Sequence, residues 1–144
     1  MGFFSRLTDW LNRSGGAGTR RILVVDDDPA IQDLVKDILS SLGYAVETAG
    51  DGVKGLESFR RRKYDLLIID GRMPRVDGLQ LLDAIRSLPA GARQPVIMLS
   101  AENMLGPINK AYELGIAAFI PKPFTAKDLI TKVQAALQAA SPRA

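Results

Sequence analysis

Asp65-Leu66-Leu67-Ile68-Ile69-Asp70-Gly71-Arg72-Met73-Pro74 runs from four consecutive aliphatic residues into a carboxylate, then into two chain-breakers, Gly71 and Pro74. An unbroken apolar run of that length suits a strand covered on both faces, as in a parallel sheet. Sheets of that kind bind ligands at the carboxyl ends of their strands, where Asp70 falls. Asp70 is therefore the first candidate for a reactive acid.

Outward from this stretch the chain alternates between short aliphatic runs and helical stripes. Ile22–Val25 is a strand that ends in Asp26-Asp27-Asp28. Asp28 before Pro29 fits a helix N-cap and first helical position. Ile31, Leu34, Val35, Ile38, Leu39 and Leu42 give that helix its stripe, and Gly43 closes it at C′. Tyr44–Ala49 is less apolar and reads as an edge strand. The next helix, Asp51–Arg62, is weakened by Gly52 and Gly55 and turns Val53, Leu56 and Phe59 inward. Its Arg60-Arg61-Arg62-Lys63 end is a solvated face complementing the helix dipole rather than a nucleic-acid patch.

After the Asp70 strand, Asp77 caps a third helix striped by Leu79, Leu82, Ile85 and Leu88. Val96–Leu99 is a fourth strand ending in Ser100. A short helix opens near Pro107 and closes near Gly115. Ala117–Ile120 is a fifth strand, followed by Pro121-Lys122-Pro123. Thr125 and Asp128 form a capping box for the last helix. Five strand–helix alternations predict a doubly wound parallel sheet with helices on both faces.

Composition narrows the chemistry. The 144 residues suit one domain, and 47% hydrophobic with 24% charged residues is ordinary for a soluble globular chain. No cysteine is present, which excludes disulfides and thiolate metal sites. No histidine is present either, which excludes His-based catalysis and His–metal sites. A net charge of +3 without a recognition-helix pair does not make nucleic acid the expected partner. No apolar run reaches transmembrane length and no signal-peptide core is visible, so the expected location is cytoplasmic.

Residues 1–19 differ from the rest. Phe3, Phe4, Leu7, Trp10 and Leu11 fall on one face of a short helix, and Ser14-Gly15-Gly16-Ala17-Gly18-Thr19 reads as a flexible linker. Such a face suits a partner groove or a membrane surface touched by residues 3–11. The plainer reading is a helix folded back on its own domain. The division expected is thus an amphipathic arm, 1–19, and a domain, 20–144.

In a parallel sheet the strand ends share a rim, which gathers Asp26, Asp27, Asp28, Asp70, Ser100 and Lys122. Clustered carboxylates repel unless a cation shares them. With no His or Cys, an oxygen-loving ion such as Mg²⁺ is the natural choice. A lysine and a hydroxyl beside it supply what phosphoryl transfer requires, and a carboxylate can itself be the nucleophile. Taken singly, Ser100 and Lys122 are ordinary loop residues and Asp28 a cap. Their joint appearance on matching strand ends favours function.

From about Arg20 to Ala140 the chain resembles a receiver domain of a two-component response regulator, of the stand-alone type. The resemblance rests on Ile22-Leu23-Val24-Val25-Asp26-Asp27-Asp28-Pro29, Asp70-Gly71-Arg72-Met73-Pro74-Arg75-Val76-Asp77-Gly78, Leu99-Ser100-Ala101-Glu102 and Ile120-Pro121-Lys122-Pro123-Phe124. It implies a flavodoxin-like fold with strand order 2-1-3-4-5. It also implies that Asp70 is the phosphoacceptor and that Asp27 ligates Mg²⁺ directly, Asp26 mainly through water. Arg72 would contribute its backbone carbonyl to the metal, Ser100 is the switch hydroxyl, Lys122 pairs with the phosphoryl group, and Phe119 is the switch aromatic. Arg72 and Glu102 stand where side chains tune the lifetime of the phosphoryl group. Serine replaces the commoner threonine at position 100.

The implied activity is a phosphorylation-dependent switch rather than an enzyme in the usual sense. Its donor would be a histidine kinase or phosphotransfer protein, since the chain has no histidine of its own. Its output would be a protein target met by the face of the fourth helix, fifth strand and last helix. An aspartyl phosphatase would carry its nucleophile after the first strand and leave Asp70 unexplained. A receiver-like scaffold localised by its N-terminal helix is the alternative.

Overall fold

In a computed structural model of the protein, residues 19–101 and 105–140 are described. The elements follow in strict alternation: β1 (Arg21–Val25), α1 (Pro29–Ser40), β2 (Ala45–Ala49), α2 (Gly52–Arg61), β3 (Leu66–Asp70), α3 (Gly78–Ser87), a 3₁₀ turn (Pro89–Gly91), β4 (Val96–Ala101), α4 (Leu105–Glu113), β5 (Ala118–Lys122) and α5 (Ala126–Ala140). The five strands are parallel in the order β2-β1-β3-β4-β5. This is the flavodoxin-like arrangement.

All five residues of β3 are buried, because the strand is central and covered on both faces. Alternate side chains feed two core layers. Leu23, Val25, Leu67, Ile69, Val96 and Met98 pack with Phe59, Leu81, Leu82 and Ile85 of α2 and α3. Ile22, Val24, Leu66, Ile68, Ile97 and Leu99 pack with Val35 and Leu39 of α1 and Leu129 and Val133 of α5. Each fully buried aliphatic side chain contributes about 1.5–3 kcal/mol before chain entropy is counted.

The caps fall where local chemistry sets them. Asp28 accepts from the Ala30 N–H at 2.9 Å and starts α1. That helix ends in a Schellman-type turn, with Tyr44 N–H donating to Leu39 O, Gly43 N–H to Ser40 O, and Gly43 at φ 94. Asp77 and Gln80 form a reciprocal capping box at the start of α3. Thr125 and Asp128 do the same for α5, with the Asp128 N–H donating to Thr125 Oγ1 at 3.0 Å.

One expectation is reversed. Val53 does not face inward but is 54% exposed, while Gly52 and Gly55 are buried. A Cβ at Gly55 would lie 2.9 Å from Val25 Cγ2, and one at Gly52 would lie 2.7 Å from Val76 Cγ1. The two glycines therefore bring the α2 backbone onto β1 and the loop before α3. They serve packing, and the apolar stripe is rotated away from Val53.

β2 is indeed an edge strand, and β5 runs two residues further than expected, so Lys122 is its last residue. Among the described residues no helix is long and apolar enough to cross a membrane. The amphipathic stretch of residues 3–11 and its linker lie outside the described residues.

Candidate functional site

The register sets the rim. Val25 pairs with Ile69, Asp70 with Leu99, and Ala101 with Lys122, so the ends of β1, β3, β4 and β5 are level. Asp26 follows directly on β1 and is fully buried. Its backbone N–H donates to Ala49 O at 3.1 Å, and its own carbonyl accepts from Gln32 Nε2 at 2.6 Å. The carboxylate is engaged on both oxygens: Oδ1 accepts from the Asp28 N–H at 2.9 Å and Oδ2 from Lys122 Nζ at 3.0 Å. Asp26 is held from every side.

Asp70 is 3% exposed. Its Oδ1 lies 3.2 Å from Lys122 Nζ and accepts from the Arg72 N–H at 3.3 Å. One ammonium thus bridges two buried carboxylates. Burial first, and then the charge of Asp26, push the Asp70 carboxyl up to about 6 against the pull of Lys122. Burial by itself pulls the Lys122 ammonium down, but its hydrogen bond to Asp26 and the charges of Asp26 and Asp70 outweigh this and hold it above its ordinary value. Among the described residues the site has one cation for two buried acids, with a third acid, Asp27, exposed at its mouth.

Carboxylate oxygens of Asp26, Asp27 and Asp70 all lie within 4.8 Å of one another. These three acids can hold a metal ion. The donor set is all oxygen, and the surplus negative charge that raises Asp70 is what a hard divalent cation relieves. The residues present therefore fit such an ion.

Ser100 is 1% exposed, and its Oγ has no hydrogen-bond partner among the described residues. A buried hydroxyl left unpaired costs about 1–3 kcal/mol. A Cβ at Gly71 would lie 3.0 Å from that oxygen, so glycine at 71 keeps the approach to Ser100 open. Gly78 has a related role: a Cβ there would collide with the Asp70 carbonyl oxygen, so only glycine lets the first turn of α3 pack on the backbone of the acid. A groove of about 560 Å³ opens beside Gly71 and Arg72, lined by Met73, Leu79, Met98 and Pro107.

The structure gathers Asp26, Asp27, Asp70, Ser100 and Lys122 at one rim, as the strand ends imply. Arg72 is exposed and reaches Asp70 through its backbone N–H. Phe119 pairs with Met98, is half-buried, and packs on the same core layer. Ser100 is two residues beyond Met98 on β4 and so shares its face. Glu102 lies outside the described residues. Sequence reading took Gly71 only as a chain-breaker and did not single out Gln32 or Gly78. The glycines carried a signal, at a strand end and a helix start, whereas Gln32 is one amide on a helix with nothing to mark it.

The chain is similar to known proteins in sequence and in fold. The family model described as "Response regulator receiver domain" matches residues 22–134. Response regulator MprA of Mycobacterium leprae is 37% identical over 122 residues, covering 85% of this chain and 53% of that protein. This chain spans about half the length of the curated relatives it matches. Among solved structures, a CheY-like receiver domain protein from Methanospirillum hungatei has a TM-score of 0.80 at 32% identity, covering 85% of this chain and 96% of that one. The receiver domain of the sensor histidine kinase PA1611 from Pseudomonas aeruginosa has a TM-score of 0.76 at 32% identity, covering 83% and 98% respectively. That structure holds a magnesium ion coordinated in its active site cleft. The chain belongs to the response regulator receiver domain family.

Proposed function

We propose that residues 20–144 form a phosphorylation-dependent switch in which Asp70 accepts a phosphoryl group from a phosphohistidine of a histidine kinase or phosphotransfer protein. The observation that carries this reading is the Asp26–Lys122–Asp70 bridge beside a buried Ser100 hydroxyl that has no partner among the described residues. In the transfer, an Asp70 carboxylate oxygen forms a bond to phosphorus as the bond from phosphorus to the imidazole nitrogen breaks. The electron pair leaves on the imidazole, which takes up a proton. Mg²⁺ is the ion that best fits the acids, held by Asp27, Asp70 and the Arg72 carbonyl, with Asp26 acting through water, and it would neutralise charge between donor and acceptor. Lys122, already 3.2 Å from Asp70, is positioned to pair with the new phosphoryl oxygens. The Ser100 Oγ gains a strong acceptor there, and its movement frees space for Phe119 on the same face.

These shifts bias the surface of α4, β5 and α5, which meets a protein target in the cytoplasm. Hydrolysis of the acyl phosphate resets the switch, and Arg72 and Glu102 set how long it lasts. A scaffold that has lost phosphate acceptance is not favoured, because every reacting position is filled. Incubating the protein with phosphoramidate and Mg²⁺ and measuring intact mass tests the reading. One added phosphoryl group, lost on EDTA treatment before mixing and absent in Asp70→Ala, is expected. Equal labelling of the wild-type protein and Asp70→Ala would sink it.

A further inference from the structure

Gln32, near the start of α1, grips the chain on both sides of Asp27. Its side-chain Nε2 donates to the Asp26 carbonyl oxygen at 2.6 Å, and its backbone N–H donates to the Asp28 carbonyl oxygen at 3.0 Å. Asp26 is fully buried, so its carbonyl has to find a donor within the protein. The turn after β2 closes over the same place. There the Asp26 N–H donates to Ala49 O at 3.1 Å, and a Cβ at Gly50 would lie 3.7 Å from the Gln32 amide nitrogen. The peptide group after Asp27 is held separately, through the Asp28 N–H, which donates to Asp26 Oδ1 at 2.9 Å. Both peptide planes that flank Asp27 are therefore pinned. A residue has only two soft backbone dihedrals, so the direction in which the Asp27 side chain leaves the backbone is fixed as well.

We infer that Gln32 is a positioning residue for Asp27, aiming its carboxylate at the cation site shared with Asp26 and Asp70, a role that rests on reading this rim as a divalent-metal site. Asp26 and Asp70 are buried and take their orientation from Lys122 and from backbone N–H groups. Asp27 is exposed, yet its carboxylate comes within 4.8 Å of theirs. Its backbone sets it there, and Gln32 holds that backbone. The amide suits the task because it donates to the carbonyl without bringing charge. A lysine or arginine would put a further cation beside acids that a metal ion has to share. A glutamate would turn an acceptor toward an acceptor. Partners that orient metal ligands from behind are worth about 10–100-fold in metal affinity.

The probe is Mn²⁺, its free ion counted by electron paramagnetic resonance in titrations of the full chain, Gln32→Met and Asp27→Ala. Backbone ¹⁵N relaxation of the metal-free proteins reads the order of Asp27 directly. Circular dichroism confirms folding, and Gln32→Glu, which also lacks the donor, replaces Gln32→Met if that variant does not fold. Positioning predicts Mn²⁺ binding about 10-fold weaker or more in Gln32→Met. It also predicts an order parameter at Asp27 falling from about 0.85 to below about 0.6, with β1 and β3 still rigid. Unchanged affinity in Gln32→Met, beside weakened binding in Asp27→Ala, overturns the proposal alone. So does weaker binding with Asp27 still ordered, or with order lost throughout β1 and β3. A full chain that binds no Mn²⁺, or binding that survives Asp27→Ala undiminished, brings down the metal reading and this role with it.

Discussion

Replacing Asp70 should make the protein more stable at neutral pH in the absence of divalent metal. Asp70 is held near 6 against an ordinary value of 3.8, chiefly by burial and by Asp26. Between those two pH values the folded chain keeps a proton that the unfolded chain sheds. This carboxyl is therefore best tolerated below about pH 4, and its contribution to stability is lost as pH rises through 6. The rise of about 2 pH units corresponds, at ~1.4 kcal/mol each, to about 3 kcal/mol. Asp70→Asn removes the titration, and Lys122 keeps Asp26 as a partner at 3.0 Å. Urea unfolding followed by circular dichroism in EDTA, from pH 4 to 7.5, measures the effect. The two proteins should be nearly equal at pH 4, and the variant should exceed the wild type by up to about 3 kcal/mol at pH 7. Adding Mg²⁺ should stabilise the wild type and narrow the gap. Two parallel pH profiles, with a constant offset and no response to Mg²⁺, would refute the electrostatic account of the site.

Other changes test other parts of the structure. Arg86 donates to four backbone carbonyls, those of Leu114, Gly115, Gly91 and Gln94, and so ties the end of α4 to the turn before β4. Arg86→Ala should cost about 2–4 kcal/mol in urea unfolding and raise amide exchange at residues 110–117. Arg75 holds φ 68, a left-handed conformation unfavourable to a residue with a Cβ. Arg75→Gly should stabilise the domain by up to about 1 kcal/mol in thermal unfolding, the gain reduced by the greater freedom of glycine when unfolded. Arg72→Ala and Glu102→Ala should each change the rate of acyl-phosphate loss, read by radiolabel decay.

Much of this was legible because the chemistry sits at strand ends. Aliphatic runs stopping at Asp26, Asp70, Ser100 and Lys122 define both the sheet and the rim that gathers these groups, since a parallel sheet has only one such rim. Periodicity failed where the backbone rather than the side chain makes the contact. Gly52 and Gly55 look like weak points in a helix, yet they let α2 close on Val25 and Val76 and leave Val53 in solvent. Gly78 and Gly71 act likewise around Asp70 and Ser100. Long-range partners were also hidden: nothing near Arg86 indicates four carbonyls from two separate turns. That Lys122 bridges Asp26 and Asp70 follows from geometry alone, because β5 carries it two residues further along the sheet than its pattern suggests.

The central claim is that Asp70 is the residue that takes the phosphoryl group. It is tested most directly by treating the protein with phosphoramidate and Mg²⁺, reducing the acyl phosphate with borohydride, and locating the reduced residue by peptide mass spectrometry. The account predicts a single reduced site, at position 70. Reduction at Asp26 or Asp27, or a borohydride-resistant phosphate on Ser100, would contradict it.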